Sequence, residues 1–107
     1  MRGRLHDLGD YPGAVSDSTA TTRVHGQVFR LPDDPSVLNA LDAYEGYNPA
    51  DPAGSLFVRS KRLVTLADGR RIRCWVYLYG QNPGSAPVVS HGDYRKWRPA
   101  RLQRLRK

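Results

Sequence analysis

Two β-rich segments joined by an Asp-Gly turn place the strongest constraint on how this chain can fold. Residues 56–66 and 71–79 are rich in β-forming side chains, and an Asp-Gly pair lies between them at positions 68 and 69. Asp-Gly suits the left-handed backbone of a tight turn and is among the strongest local signals for a hairpin. Residues 74–79 are apolar or aromatic throughout, a pattern typical of a strand that is covered on both faces. The sequence therefore predicts a long β-hairpin whose second strand is central or part of a barrel wall.

A short helix is predicted before the hairpin. Asp34 can accept hydrogen bonds from the first free amides of a helix, and Pro35 suits the first helical position. Gly46 can end a helix in the left-handed conformation. These signals predict a helix from Pro35 to Tyr44 or Glu45.

Glu45 is the only glutamate of the chain and the candidate catalytic residue. It follows Leu38 and Leu41 at helical spacing, so the three side chains share the stripe that faces the core. If the helix end is exposed, Glu45 is an ordinary surface residue. If the end borders a cavity, desolvation raises its pKa and makes it a useful base near neutral pH. The local pattern leaves both interpretations open and favours the surface one. Asp42, three residues earlier, is interpreted as a solvated or capping residue rather than a second catalytic acid.

The other segments carry weaker signals. A strand or strand end is expected over residues 4–8, followed by a turn at 9–13 and a loop or irregular edge strand at 14–22. Residues 23–31 are rich in β-formers and predict another strand. Residues 80–93 have the composition of a loop, and the pattern over residues 97–107 allows a short basic helix that starts at Pro99.

The positive charge is concentrated at the C-terminal end. The formal net charge is +7, yet residues 1–94 contain ten basic and ten acidic side chains, which cancel. The excess comes from seven Lys and Arg residues among the last 13. Such a terminal run is usually solvated. We therefore expect a domain at residues 1–97 with a basic tail at 98–107, and nucleic acid is not the expected partner. A small basic barrel that contacts nucleic acid through the tail is kept as an alternative.

Composition excludes several classes of function. A chain of 107 residues corresponds to one domain with a real core. Cys74 is the single cysteine and lies in an apolar run, which favours a buried thiol. No apolar stretch has the length of a signal peptide or a membrane span, so a cytoplasmic location without membrane contact is expected. The three histidines show no metal-ligand spacing. A metal site is therefore not expected. Nucleophile-elbow and phosphate-loop motifs are absent, so a hydrolase triad and a nucleotide-binding site have no support.

Six short segments, in their order and spacing, resemble the γ-glutamylcyclotransferase-like family, which includes the avirulence-induced-gene-2-like proteins. The matching segments are Leu5-His6-Asp7-Leu8-Gly9-Asp10-Tyr11-Pro12-Gly13, Val24-His25-Gly26-Gln27-Val28-Phe29, Leu41-Asp42-Ala43-Tyr44-Glu45-Gly46-Tyr47, Phe57-Val58-Arg59, Trp75-Val76-Tyr77-Leu78-Tyr79 and Gly92-Asp93-Tyr94-Arg95-Lys96-Trp97. The resemblance implies an α+β fold, a small mixed β-barrel with flanking helices and a cavity.

The resemblance also implies an activity. In active members of the family, the glutamate at the position of Glu45 takes a proton from the α-ammonium group of a γ-glutamyl amine or peptide. The freed amine attacks the γ-carbonyl and closes the ring of 5-oxoproline, without a metal or a cofactor. Tyr11, Arg59, Tyr79 and Tyr94 belong to family motifs and are expected to line the substrate cavity.

One family motif is missing from the sequence. Family members usually begin with a strand that ends in a Tyr-Gly-Thr/Ser-Leu loop, which holds the substrate, whereas this sequence starts at the second family motif. We therefore expect an N-terminally truncated domain. Either the reading frame given starts at an internal position, or the protein has lost its substrate loop. In the second case the sheet edge beside residues 4–15 is expected to be unpaired and open to homodimerisation or pairing with a partner. A catalytically inactive member of the fold, binding a small amino compound or a protein partner, is the first alternative function.

Overall fold

The computed structural model describes residues 1–97 and shows an α+β chain. Its two compact units are Gln27–Asn82 and a first unit made of Met1–Gly26 with the described residues from Pro83 onward. The elements in chain order are β1 (Gly3–Asp7), β2 (Pro12–Ser16), α1 (Pro35–Glu45), a 3-10 turn (Pro52–Gly54), β3 (Phe57–Thr65), β4 (Arg71–Tyr79) and α2 (Tyr94–Trp97).

The first unit is built around β1. This strand pairs with β2 in antiparallel register, from Gly3 opposite Ser16 to Asp7 opposite Pro12. Later segments bind its other edge: the amide of Gly3 donates to the carbonyl of Thr22 at 3.2 Å, and the amide of Val89 donates to that of Leu5 at 2.7 Å. The expectation of an unpaired edge is therefore wrong for β1, because residues 22–24 and 87–89 occupy the side that β2 leaves open. Homodimerisation stays a prediction.

The buried core of the first unit is small. Leu5, Val89 and Tyr94 are buried against one another, and Ala14 and Val24 pack on them. Because each of these side chains comes from a different segment, the core joins the two β-strands to the segments that follow them.

Gly92 is a point of close backbone approach in this unit. Its φ is 71°, and a Cβ added there would collide with the carbonyl oxygen of Arg23. We expect Gly92→Ala to lower the free energy of unfolding by about 2 kcal/mol or more, because the left-handed backbone and the collision both act against a side chain. Gly84→Ala is the matched control, since Gly84 also has a positive φ (56°) but open space at the Cβ position. Urea denaturation of the two variants checks this, and equal losses would contradict a steric cause at Gly92.

The predicted helix is confirmed as α1 in the second unit. The side chain of Asp34 accepts a hydrogen bond from the amide of Ser36 at 2.9 Å, which caps the N-terminus. At the other end Gly46 adopts a left-handed conformation with φ 71°, and the amide of Tyr47 donates to the carbonyl of Asp42 at 2.8 Å. Asp34 and Gly46, the residues from which the helix bounds were predicted, therefore form its two caps.

The predicted hairpin is confirmed as well. β3 and β4 are antiparallel, with register running from Phe57 opposite Tyr79 to Thr65 opposite Arg71. The turn passes through Gly69 at φ 88°. Because side chains alternate along a strand, alternate residues share one face of the hairpin. We call this the aromatic face, and it consists of Phe57, Arg59 and Lys61 of β3 with Tyr79, Tyr77 and Trp75 of β4.

Four other expectations are corrected by the structure. The strand predicted over residues 23–31 is wrong: Arg23 forms an isolated bridge with Arg2, and residues 24–31 are irregular. The turn expected at 9–13 and the loop or irregular edge strand expected at 14–22 are replaced by β2, which begins at Pro12 and ends at Ser16. Cys74 is half-buried rather than buried. The described strands form two two-stranded antiparallel sheets rather than a closed barrel, and the helix proposed over 97–107 and the basic tail lie outside the described residues, apart from Trp97.

Candidate functional site

Glu45 is the last residue of α1 and is half-buried. Burial raises the pKa of its carboxyl, because a charged carboxylate loses hydration when it is partly removed from water. Within residues 1–97 its carboxylate forms no ion pair, since the three that the structure shows are Arg4–Asp17, Arg59–Asp42 and Arg70–Asp68. Glu45 thus has the environment of a proton acceptor rather than that of a fixed anion.

Asp42 is buried one helical turn before Glu45, with 4% of its surface exposed. Arg59 of β3 binds it in a bidentate manner: Nε donates to Oδ1 at 2.8 Å and Nη2 donates to Oδ2 at 3.2 Å. The hydroxyl of Tyr77 on β4 donates to Oδ1 at 2.6 Å. The interpretation of Asp42 as a solvated or capping residue is therefore wrong, because the side chains that bury it come from the hairpin.

The Asp42 carboxyl is held in its ionised form. Burial by itself raises its pKa, but the hydrogen bonds from Arg59 and Tyr77, together with the charge of Arg59, outweigh burial and keep the pKa below its usual range. In return, the hydrogen bond with Asp42 raises the pKa of the Arg59 guanidinium. Both shifts favour the charged forms, so Asp42 and Arg59 form a charged pair at neutral pH.

Aromatic rings enclose the Arg59 guanidinium. Its central carbon lies 4.3 Å from the ring centroid of Trp75 and 5.8 Å from that of Tyr47. Lys61, the next residue along the aromatic face, places Nζ 5.0 Å from the same Trp75 ring. Both distances to Trp75 are in the range of cation–π attraction. Arg59 is thus restrained by stacking as well as by its two bonds to Asp42.

The pKa of the Tyr77 phenol is affected by both carboxylates. Burial raises the pKa of its phenol, and the hydrogen bond to Asp42 raises it further. The negative charge of Glu45 also adds to this shift. Tyr77 therefore stays protonated and remains a hydrogen-bond donor at neutral pH.

The site contains two carboxyls with opposite pKa shifts. The pKa of Asp42 is lowered by its bonds to Arg59 and Tyr77, so this carboxyl stays ionised. The pKa of Glu45 is raised by burial. Pairs of acidic groups whose environments separate their pKa values in this way are typical of acid–base sites. The arrangement can move one proton at Glu45 and leave Asp42 unchanged.

The structure brings some of the predicted site residues together. Glu45 and Arg59 lie in the same unit, where Arg59 binds Asp42, the residue three positions before Glu45 on α1. Tyr79 is on the same face one cross-strand pair away, with its ring centroid 5.6 Å from that of Phe57. Tyr11 and Tyr94 belong to the first unit, where Tyr11 is 38% exposed and Tyr94 is buried in the core.

Sequence reasoning missed four residues around Glu45 and Arg59. They are Asp42, Tyr47, Trp75 and Tyr77. A signal for two of them was present, since alternation along β4 puts Trp75 and Tyr77 on the face that Tyr79 shares. Their positions near Arg59 follow from the hairpin register, which pairs Tyr77 with Arg59 and Trp75 with the neighbouring Lys61.

Two further features concern ligands and membranes. Among residues 1–97, no three His, Cys, Asp or Glu side chains come close enough to hold a metal ion together. Neither helix of the described part is long and apolar enough to cross a membrane.

The fold and the site together define an α+β protein with a helix-borne carboxylate pair set against the aromatic face of a hairpin. The chain belongs to the family described as gamma-glutamyl cyclotransferase, AIG2-like, whose model matches residues 1–96. Comparisons with curated proteins and with solved structures give no significant match.

Proposed function

We propose that this protein is a γ-glutamylcyclotransferase-like enzyme that converts a γ-glutamyl amine or peptide into 5-oxoproline and the free amine, with Glu45 as the general base. Membership of the family supports the reaction class. The observation that carries the choice of base is the half-buried Glu45 carboxyl, whose pKa is raised by burial and which has no cation bound to it in the described part of the chain.

The reaction transfers one proton through Glu45. The ionised carboxylate takes a proton from the α-ammonium group of the substrate, and the resulting amine attacks the γ-carbonyl carbon. A C–N bond forms, the five-membered ring closes, and the bond between the γ-carbon and the leaving nitrogen breaks. The protonated carboxyl returns its proton to the leaving nitrogen. The attacking nitrogen loses a second proton as it becomes the ring amide, and the released amine takes up this proton and leaves as an ammonium ion. Because attack is intramolecular, most of the rate gain comes from holding the amine close to the carbonyl, and the chemistry requires no cofactor.

Asp42 is a poor candidate for the base. A base has to accept a proton near the working pH, and the pKa of Asp42 is held below its usual range by partners that stabilise the anion. Glu45 has the opposite environment, since burial stabilises its protonated form. The structure thus supports the assignment of the proton transfer to Glu45.

The binding roles of Arg59, Tyr79, Tyr11 and Tyr94 are part of the proposal. Arg59 is adjacent to the carboxylate pair and Tyr79 lies on the same face of the hairpin, so these two support a substrate position over the aromatic face. A cytoplasmic location also stays a prediction.

The test is the pH dependence of 5-oxoproline formation from γ-glutamyl amines and peptides. Activity requires ionised Glu45, so kcat/KM should rise with pH through the pKa of this group. Because burial raises that pKa, we expect the midpoint of the acid limb above the ordinary glutamate value of about 4.3. Release of 5-oxoproline is measured by chromatography. If none forms from any γ-glutamyl substrate while the protein is folded, the enzyme assignment is wrong and the non-catalytic alternative takes its place.

A further inference from the structure

The Asp42–Arg59 pair lies beside Glu45, and its geometry affects how Glu45 can act. Asp42 and Glu45 are three residues apart on α1, a spacing that puts two side chains on one face with Cβ atoms about 5–6 Å apart. Arg59 is bound to Asp42 through Nε and Nη2. The guanidinium therefore binds a carboxylate that lies one helical turn from Glu45 along α1, and both of these hydrogen bonds go to Asp42.

We propose that Asp42 is a positioning residue, which keeps the Arg59 guanidinium on its own carboxylate and so leaves Glu45 without a cationic partner among residues 1–97. The functional meaning of this inference rests on the proposed role of Glu45 as base. Its physical content, the competition of two carboxylates for one guanidinium, can be measured without any activity.

Two contacts hold Arg59 in this position, and a third fixes the carboxylate that it binds. The bidentate pairing with Asp42 is directional and strong, and the side chains of the pair are only 16% and 5% exposed. Trp75 stacks on the guanidinium at 4.3 Å. Tyr77 donates to the same carboxylate oxygen as Arg59 Nε, at 2.6 Å, which fixes the carboxylate that the guanidinium binds.

Loss of the Asp42 charge leaves Glu45 as the carboxylate that Arg59 can pair with. The titratable and charged groups around the site are Asp42 and Glu45 of α1, Tyr47 of the following loop, Arg59 and Lys61 of β3, and Tyr77 of β4. Without the charge of Asp42, Glu45 is the remaining carboxylate in this group. A cation within about 4–6 Å lowers a carboxyl pKa by about one to three units. If Arg59 binds Glu45 instead of Asp42, Glu45 therefore becomes a weaker base.

The experiment is a direct titration of Glu45. Because Glu45 is the only glutamate, 13C-glutamate labelling of the full chain gives a single glutamate side-chain carboxyl signal. The titration midpoint is measured for the wild type, Asp42→Asn, Arg59→Met and the double variant. Asparagine keeps an oxygen that can accept from Tyr77, which limits the structural change. We expect Asp42→Asn to lower the midpoint by about one unit, Arg59→Met to raise it, and the double variant to return it close to the wild-type value.

Asp68→Asn is the matched control. Asp68 also pairs with an arginine, Arg70, at 2.7 Å, but this pair lies at the hairpin turn with side chains 72% and 54% exposed. The control removes an Asp–Arg pair from the same unit, and the Glu45 midpoint should stay at its wild-type value. A shift in this variant equal to that of Asp42→Asn would overturn the inference.

Other outcomes also decide the question. An unchanged Glu45 midpoint in Asp42→Asn, with a dispersed amide spectrum, rules out capture by Arg59. Collapse of the amide spectrum identifies unfolding, and then Arg59→Met decides, because unfolding cannot raise the midpoint above the wild-type value. An Arg59→Met midpoint at or below that value contradicts the proposal.

Turnover separates this inference from the proposed function. If the wild type forms 5-oxoproline, the acid limb of kcat/KM should move with the NMR midpoint in each variant, and the double variant should recover the wild-type profile. A merely structural role of Asp42 predicts no such recovery. If the wild type forms no 5-oxoproline, the proposed function fails while the titration still decides the positioning role.

Discussion

Glu45→Gln is expected to lower kcat for 5-oxoproline formation by about 10²–10⁴-fold, the range that general base catalysis contributes. Glutamine has nearly the same shape but cannot accept a proton from the substrate ammonium. Since the Glu45 carboxylate forms no ion pair in the described part of the chain, its replacement removes no ion pair that stabilises the fold. Because the glutamine oxygen can still accept a hydrogen bond from the substrate ammonium, KM should change less than kcat, and initial rates of 5-oxoproline release measure both.

The control for this variant is Asp68→Asn, the same change from carboxylate to amide at an exposed site of the same unit. It should leave kcat and KM at their wild-type values. Turnover by Glu45→Gln at the wild-type rate would remove Glu45 from the mechanism. A fall of equal size in both variants would show that the loss comes from the charge of the protein rather than from the base.

Asp42→Ala is expected to lower the free energy of unfolding by about 3 kcal/mol, the lower part of the range for breaking a buried ion pair. The variant leaves the Arg59 guanidinium, 16% exposed, without its carboxylate. It also removes the acceptor of the Tyr77 hydroxyl, so two polar groups lose their partner. For a single domain with a total stability of about 5–15 kcal/mol, the variant should unfold at a clearly lower urea concentration.

Two further variants test the origin of this loss. Asp68→Ala breaks the exposed pair with Arg70 and should cost less than about 1 kcal/mol. The double variant Asp42→Leu with Arg59→Met removes both charges together and should be more stable than Asp42→Ala, because no buried charge is left unpaired. Equal losses for Asp42→Ala and Asp68→Ala would mean that Asp42 is not held as the structure shows.

The helix and the hairpin could be predicted because their signals are local. Asp34 and Gly46 act on amides and carbonyls within a few residues of their own positions, and the Asp-Gly pair lies inside the turn that it forms. None of these features needs a distant part of the chain. The observed bounds of α1, Pro35–Glu45, and of β4, Arg71–Tyr79, accordingly match those expected from the sequence.

The strand expected over residues 23–31 failed because β-propensity does not supply a partner. A segment with β-forming side chains becomes a strand only where a neighbouring edge is available to it. Arg23 forms one bridge to Arg2, but Val28 and Phe29 are exposed at 49% and 73%. Conversely, Pro12–Ser16 has weak β-propensity and still forms β2, since a short turn brings it back along β1.

The sequence by itself determined α1, the hairpin, the placement of Glu45 at a helix end and, through its motifs, the family. It could not determine the protonation behaviour of the two acidic residues on α1. That was decided by tertiary structure, because the groups that hold Asp42 ionised, Arg59 and Tyr77, lie 17 and 35 residues away in the sequence. A pKa depends on the charges, donors and solvent within a few ångströms, and these are fixed only when the hairpin packs against the last turn of the helix.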